Sequence, residues 1–194
     1  MIFIFIIMAE RVCPVWMGYF LSCPLRKIFQ NPKKILSPYV KEGMTVLDFG
    51  SAMGFFSLPL CEIVGPHGRV ICVDIQQKMI ESLRKRASKA DLLERIETRI
   101  CTSNSFNLDD LEEGIDFVLA SAVIHEVPEP AILFSKIYKI MKSTGKFLVI
   151  EPSGHVSGKN FDNTILNARK SGFIVVERPI VRKSHAALLE KAGS

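Results

Sequence analysis

A turn bracketed by two glycines, between an apolar strand and a helix, constrains the fold of this chain most tightly. Residues 45–49 form a run that is apolar apart from Asp48, and Gly50 and Gly54 bracket the turn that follows. Glycines let the backbone pass close to a ligand, and the first N–H groups of the next helix, predicted over 55–64, point at it. We therefore expect a cradle for a polar ligand, with Asp48 placed to accept a hydrogen bond or to hold an ammonium group.

Asp74 indicates which ligand the cradle holds. It ends the next apolar run, and an acid about twenty residues beyond such a turn suits a ribose with two hydroxyls. A dinucleotide site requires G-x-G-x-x-G, because the pyrophosphate sits on the helix and the third glycine lets helix and strand pack closely. Counted from Gly50, the second and third glycine positions hold Ala52 and Phe55. The turn and the acid together indicate a nucleoside-type cofactor other than a dinucleotide.

The rest of the chain alternates between strand and helix patterns. Residues 115–123 are an almost unbroken apolar run, which is typical of a central parallel strand. Residues 77–90 place Ile80, Leu83, Ala87 and Ala90 on one helical face. We predict further strands over 69–73, 96–101 and 147–150, helices over 129–141 and 160–170, a turn over 142–146, and a closing antiparallel pair over 174–181 and 185–189.

The pattern D-x-G-x-x-x-G from Asp48 to Gly54, followed by Asp74, resembles motifs I and II of the class I S-adenosylmethionine-dependent methyltransferases. Their usual turn is D-x-G-x-G-x-G, so Ala52 replaces the middle glycine. The Glu-Pro pair at 151–152 also resembles the family, and the resemblance covers residues 35–191. It implies an α/β fold with a doubly wound, mostly parallel seven-stranded sheet of the Rossmann-like methyltransferase type. The implied strand order is 3-2-1-4-5-7-6, with the last hairpin antiparallel.

The resemblance further implies S-adenosylmethionine as cofactor and a small-molecule acceptor. The implied cofactor-binding residues lie at the carboxyl ends of the first four strands: Asp48, Gly50, Ser51, Ala52, Gly54, Asp74, Ile75, Thr102, Ser103, Asn104 and Ser121. A sulfonium methyl group carries its own reactivity, so the protein has to align the acceptor, exclude water and, where necessary, remove a proton. Neither a metal nor a covalent enzyme nucleophile is required.

His125 and Glu126 are the candidate catalytic residues, because they follow a central strand at the carboxyl edge where ligands bind in such sheets. Glu151 and His155 are further candidate bases. We place His125 first, since a neutral imidazole titrates near the working pH. The alternative, that His125 lines the pocket without handling a proton, remains open.

Residues 1–34 form an N-terminal extension ahead of the domain at 35–194. Extensions in the methyltransferase fold commonly lie over the open end of the sheet. The aromatic residues Trp16, Tyr19 and Phe20 therefore either form a lid over the acceptor or fix the extension to the domain. The apolar start from Met1 to Met8 is too short to span a membrane. It also lacks a signal peptide's basic leader, so we expect Met8 to be the true start.

Charge and cysteine content limit the alternatives. The net charge is +5, and the first 42 residues carry +4 of it, with six Lys/Arg against two Asp/Glu. A regulatory or RNA-associated protein that binds the cofactor without catalysis is therefore one rival hypothesis, although residues 84–86 are expected to be a solvated helix face. An NAD(P)-binding oxidoreductase is the other rival hypothesis, but this sequence lacks the second and third glycines that its dinucleotide site requires.

The cysteines are typical of a cytoplasmic protein. Their number, five, is odd, and Cys61, Cys72 and Cys101 lie in apolar runs, which indicates buried thiols and not a disulfide framework. Cys13 and Cys23 lack zinc-site spacing.

Overall fold

The computed structural model describes residues 30–102 and 105–193. The predictions made for the start of the chain, for its aromatic cluster Trp16, Tyr19 and Phe20, and for Cys13 and Cys23 lie outside the described residues. So do those made for Ser103 and Asn104.

One seven-stranded sheet with helices on both faces makes up the fold. Its strand order is β3-β2-β1-β4-β5-β7-β6, which confirms the expected order. All neighbouring strands are parallel except β7, which runs antiparallel to β5 and to β6. The elements are α1 (Pro32–Leu36), β1 (Thr45–Phe49), α2 (Ser57–Val64), β2 (Arg69–Asp74), α3 (Gln77–Lys89), β3 (Ile96–Ile100), β4 (Ile115–Ser121), α4 (Pro130–Ile140), β5 (Met141–Pro152), α5 (Gly158–Lys170), β6 (Phe173–Glu177) and β7 (Ser184–Lys191).

The core lies on both faces of the sheet, because the central strands are buried on both sides. Leu47 of β1 belongs to the apolar cluster on one face, and its neighbour Val46 belongs to the cluster on the other. Such strands require apolar residues at nearly every position, which explains the unbroken runs in the sequence. The parallel strands β1, β2, β3 and β4 all end at one edge of the sheet, and the candidate site residues follow them.

Several boundaries differ from the predictions. The helix after the glycine turn begins at Ser57 rather than at residue 55, because residues 52–56 complete the turn. Residues 142–146 belong to β5 instead of forming a turn, and the pairing of β5 with β4 shifts register there. Ala90 is exposed because α3 ends at Lys89. Within the described residues, no helix has both the length and the apolar character needed to cross a membrane.

Candidate functional site

The glycine turn is tied to β2 by its backbone. The N–H groups of Gly50 and Ser51 both donate to the carbonyl of Val73, at 2.8 and 3.0 Å, and Gly54 N–H donates to the Ser51 carbonyl at 3.0 Å. A side chain at Gly50 would meet Val123, in the loop after β4, at 2.6 Å. The turn is thus enclosed by strand β2 on one side and by the loop after β4 on another.

Ala52 links the turn directly to the acid at the end of β2. Its φ of 46° lies in the left-handed region, where a side chain is disfavoured. Its N–H donates to Asp74 Oδ2 at 2.9 Å, and Gln76 N–H donates to Asp74 Oδ1 at 2.8 Å. Burial raises the pKa of Asp74, and the backbone donors act against that rise. The two oxygens of a carboxylate together offer about four acceptor sites, so Asp74 keeps acceptor capacity for a ligand beside these backbone donors.

Asp48 lies beneath the turn and is almost completely buried. The hydroxyl of Ser57, the first residue of α2, donates to Asp48 Oδ2 at 2.6 Å. Burial raises the pKa of Asp48 to about 7, although the Ser57 hydrogen bond partly opposes the rise. Of the two roles expected for Asp48, the structure therefore shows hydrogen-bond acceptance within the protein.

Two side chains near the turn have properties that suit a bound nucleoside. The hydroxyl of Ser51 is buried and has no hydrogen-bond partner among the described residues. A buried polar group without a partner is costly, so a ligand that supplies one is favoured there. Ile75, which follows Asp74, is an exposed large apolar residue with 43% of its surface accessible. An apolar side chain beside the acid fits the flat face of a base.

The other residues expected to bind the cofactor are more peripheral. Thr102 is exposed, and its N–H donates to the Ser105 carbonyl at 2.8 Å. Ser121 ends β4 and is partly buried. Gly54 packs so closely against α3 that a side chain at position 54 would collide with Leu83.

At the carboxyl ends of β4 and β5, His125 and Glu151 form one unit. His125 Nδ1 lies 2.6 Å from Glu151 Oε2, and Glu151 Oε1 accepts from the N–H groups of Ile124 and His125 at 2.8 and 3.3 Å. Glu151 is fully buried, whereas the His125 side chain is 31% exposed. The hydrogen bond with Glu151 raises the pKa of His125, against the opposing effect of burial. Glu151 thus holds the imidazole ring and the backbone of the His125 loop by hydrogen bonds.

Glu126 and His155 relate differently to this pair. Glu126 Oε1 lies 4.0 Å from His125 Nε2, so its charge also favours the imidazolium form. His155 is exposed in the loop after β5. The sequence reasoning missed His185, whose Cα pairs with that of Glu151 across β5 and β7 and whose ring stacks on Phe161 at 5.5 Å. The antiparallel register of the last hairpin was the signal that could have found it.

The described part of the chain holds no group of three or more His, Cys, Asp or Glu residues arranged to bind a metal. Its three cysteines, Cys61, Cys72 and Cys101, are free and buried. Burial raises the thiol pKa of Cys61 to about 12 and that of Cys101 to about 11, so neither is a reactive thiolate.

A family model described as a methyltransferase domain matches residues 40–186. Among curated relatives, an arsenite methyltransferase from Halobacterium salinarum is 31% identical over 61% of this chain and 29% of its own length. A demethylmenaquinone methyltransferase from Lactobacillus johnsonii is 28% identical over 59% of this chain and 46% of its own length. This chain therefore matches less than half the length of either protein.

Solved structures share the fold. One described as a SAM-dependent methyltransferase from Aquifex aeolicus superposes with a TM-score of 0.83 and 23% identity, and the match covers 93% of this chain and all of that one. Fibrillarin from Aeropyrum pernix, solved with natively bound S-adenosyl-L-methionine, gives a TM-score of 0.66 and 19% identity over 84% of this chain and 74% of its own.

Proposed function

Because the chain belongs to the methyltransferase domain family, we propose that it transfers a methyl group from S-adenosylmethionine to a small-molecule acceptor. The observation that carries this proposal is the bond between Ala52 N–H and Asp74 Oδ2, which places the turn and the acid in one site. The names of the two curated relatives, which act on arsenite and on demethylmenaquinone, support an acceptor of low molecular mass.

The residues of the turn fit this cofactor. Asp74 would accept from the two ribose hydroxyls, Ile75 would pack against the base, and Ser51 would gain the hydrogen-bond partner that its buried hydroxyl lacks among the described residues. Asp48, beneath the turn, would add negative potential toward the cationic end in its ionised form. The bound cofactor supplies a methyl group on a sulfonium that needs no metal to activate it.

His125 takes the proton that an oxygen or nitrogen acceptor loses. Because Nδ1–H donates to Glu151, Nε2 keeps its lone pair and is the atom that accepts this proton. The Glu151 carboxylate then stabilises the imidazolium, and Glu126 adds to that effect from 4.0 Å. His125 subsequently releases the proton to water through its exposed face.

The basic run in α3 gives little support to the nucleic-acid alternative. Arg84 donates to the Thr98 hydroxyl, and Arg86 donates to the Met53 carbonyl. Both arginines therefore contact the protein itself instead of forming a free cationic face. The buried free thiols are consistent with a reducing, cytoplasmic setting.

Ligand-dependent melting tests the proposal. A ligand that binds only the native state raises the melting temperature by mass action. S-adenosylmethionine and S-adenosylhomocysteine should each raise it, and NAD should not. Stabilisation by NAD together with no response to either of the other two would refute the cofactor assignment.

Screening of metabolite pools with labelled cofactor should then identify the acceptor. With that acceptor, His125→Ala should abolish methyl transfer while retaining S-adenosylhomocysteine binding.

The N-terminal extension, residues 1–34, is proposed to cover the acceptor. Its first described residue, Gln30, donates from Nε2 to Ser184 Oγ at 3.1 Å, and Ser184 pairs with Pro152, the residue after Glu151. The end of the extension therefore contacts the domain near Glu151, which supports a position close to the proposed acceptor. A chain beginning at Gln30 keeps this contact, so it should bind S-adenosylhomocysteine but lose methyl transfer. If the chain that begins at Gln30 keeps full turnover, the extension is not a lid. If that chain fails to fold, the extension is a structural support of the domain.

A further inference from the structure

Arg86 lies on α3 with its guanidinium against the glycine turn. Its Nη1 donates to the Met53 carbonyl at 2.5 Å. No carboxylate among residues 30–102 and 105–193 pairs with it, and burial lowers its pKa. Arg86 is partly buried, and withdrawing a cation even partly from water without a counter-charge is unfavourable, so a compensating interaction is expected. We infer that Arg86 is a positioning residue that holds the cofactor turn in its binding conformation.

The turn needs such an external support because its own backbone does not favour its shape. Gly50, Ala52 and Gly54 have φ values of 77°, 46° and 85°. Glycine adopts these angles readily, but alanine in the left-handed region costs about 1 kcal/mol or more. Ala52 therefore favours other conformations unless contacts outside the turn hold it in place.

Contacts from two other elements, β2 and α3, hold the turn. From β2, Asp74 accepts the Ala52 N–H and Val73 accepts the two preceding N–H groups. From α3, Arg86 binds the Met53 carbonyl, and Leu83 fills the space beside Gly54. The β2 contacts fix N–H groups, whereas Arg86 is the side chain that fixes a carbonyl. Without it, the Met53 carbonyl loses this partner, and the peptide between residues 53 and 54 relies on the bond from Gly54 N–H to the Ser51 carbonyl at 3.0 Å.

Pre-organisation of the turn links the hydrogen bond between Arg86 and the Met53 carbonyl to the affinity for the cofactor. A ligand that has to order a loop loses affinity by the cost of that ordering. Ser51, which we assign to the cofactor, lies between the anchors at Gly50 and Met53, so the position of its hydroxyl depends on both. The inference rests on the proposed cofactor, and it predicts an effect on affinity that is separable from an effect on folding.

Arg95 provides a matched control. Like Arg86, it is an arginine that donates from Nη1 to a backbone carbonyl, in this case that of Cys61 in α2, at 3.1 Å. Cys61 lies outside the turn. Replacing either arginine with methionine removes one guanidinium–carbonyl hydrogen bond and retains much of the apolar stem. The two variants thus differ mainly in whether the lost bond belongs to the cofactor turn.

The experiment measures S-adenosylhomocysteine binding by calorimetry and unfolding in urea for wild type, Arg86→Met, Arg86→Lys and Arg95→Met. Arg86→Met should bind about tenfold more weakly than wild type, as expected for a lost charge-assisted hydrogen bond. Arg86→Lys, which retains one donor, should fall between them. Arg95→Met should bind like wild type even where its unfolding midpoint is lower.

Unchanged affinity in folded Arg86→Met and Arg86→Lys would overturn the inference while leaving the proposed function intact. An equal loss in Arg95→Met would reduce the effect to general stability and would also overturn it. If Arg86→Met does not fold, the affinity of Arg86→Lys decides the matter in the same way. Failure of the wild type to bind S-adenosylhomocysteine would refute the proposed function itself, and this inference with it.

Discussion

Replacing Gly50 with alanine should destabilise the fold for two separable reasons. First, Gly50 has a φ of 77°, and alanine in the left-handed region costs about 1–2 kcal/mol. Second, the new Cβ would lie 2.6 Å from both Cβ and Cγ2 of Val123, and overpacking of this kind costs about 1–3 kcal/mol. The free energy of unfolding, measured in urea, should therefore fall by about 2–5 kcal/mol in total.

Two control variants separate these contributions. Gly43 has a similar φ of 81°, and no described atom lies within 4 Å of the point that a Cβ would occupy there, so Gly43→Ala should cost only the backbone part, about 1–2 kcal/mol. In a Val123→Gly background the clash is absent, and Gly50→Ala should likewise cost about 1–2 kcal/mol. Equal costs of Gly50→Ala with and without Val123 would show that the contact contributes nothing and that the reasoning is wrong.

Three further predictions concern the carboxylates. Asp74→Ala should weaken S-adenosylhomocysteine binding by about 1.5–3 kcal/mol in calorimetry, and an unchanged dissociation constant would remove Asp74 from the site. Burial raises the pKa of Asp48 from 3.8 to about 7, so stability to urea should decline as pH rises between those values. Asp48→Asn should abolish that decline. Because the pKa of His125 is raised above 6.5, its pair with Glu151 should stabilise the fold fully below that pH and lose this contribution as pH rises through the raised pKa. Glu151→Gln should flatten this dependence, and an unaltered profile would contradict the pairing.

The central strands could be predicted from the sequence, because fully buried parallel strands require apolar runs that are easily recognised. The order of the strands was predicted from the family resemblance, and the structure confirms it. It also predicted the cradle, since a turn such as that at Gly50 and Gly54 has few structural uses. The start of β5 was predicted wrongly as a turn. Residues 142–146 are polar and include a glycine, and only pairing with β4 makes them a strand.

Contacts between distant residues were beyond the sequence. Glu151 could be identified as a candidate base, but its role as the partner of His125 depends on the neighbouring positions of β4 and β5. Arg86 was interpreted as part of a solvated helix face, because charge spacing does not show where a long side chain bends. Ala52 was recognised as a departure from the family turn, but its hydrogen bond to Asp74 depends on how β1 and β2 align.

The contact between Gly50 and Val123 also has a mechanical consequence. Val123 lies two residues before His125, so the loop that carries the imidazole rests directly on the backbone of the cofactor turn. The Val123 side chain packs against Gly50, which has no side chain of its own, so neither loop can move closer to the other. A displacement of the turn is therefore transmitted to His125, and a displacement of His125 is transmitted back. If the turn binds the cofactor and His125 faces the acceptor, as proposed, thermodynamic linkage requires any coupling through this contact to change both affinities by the same factor.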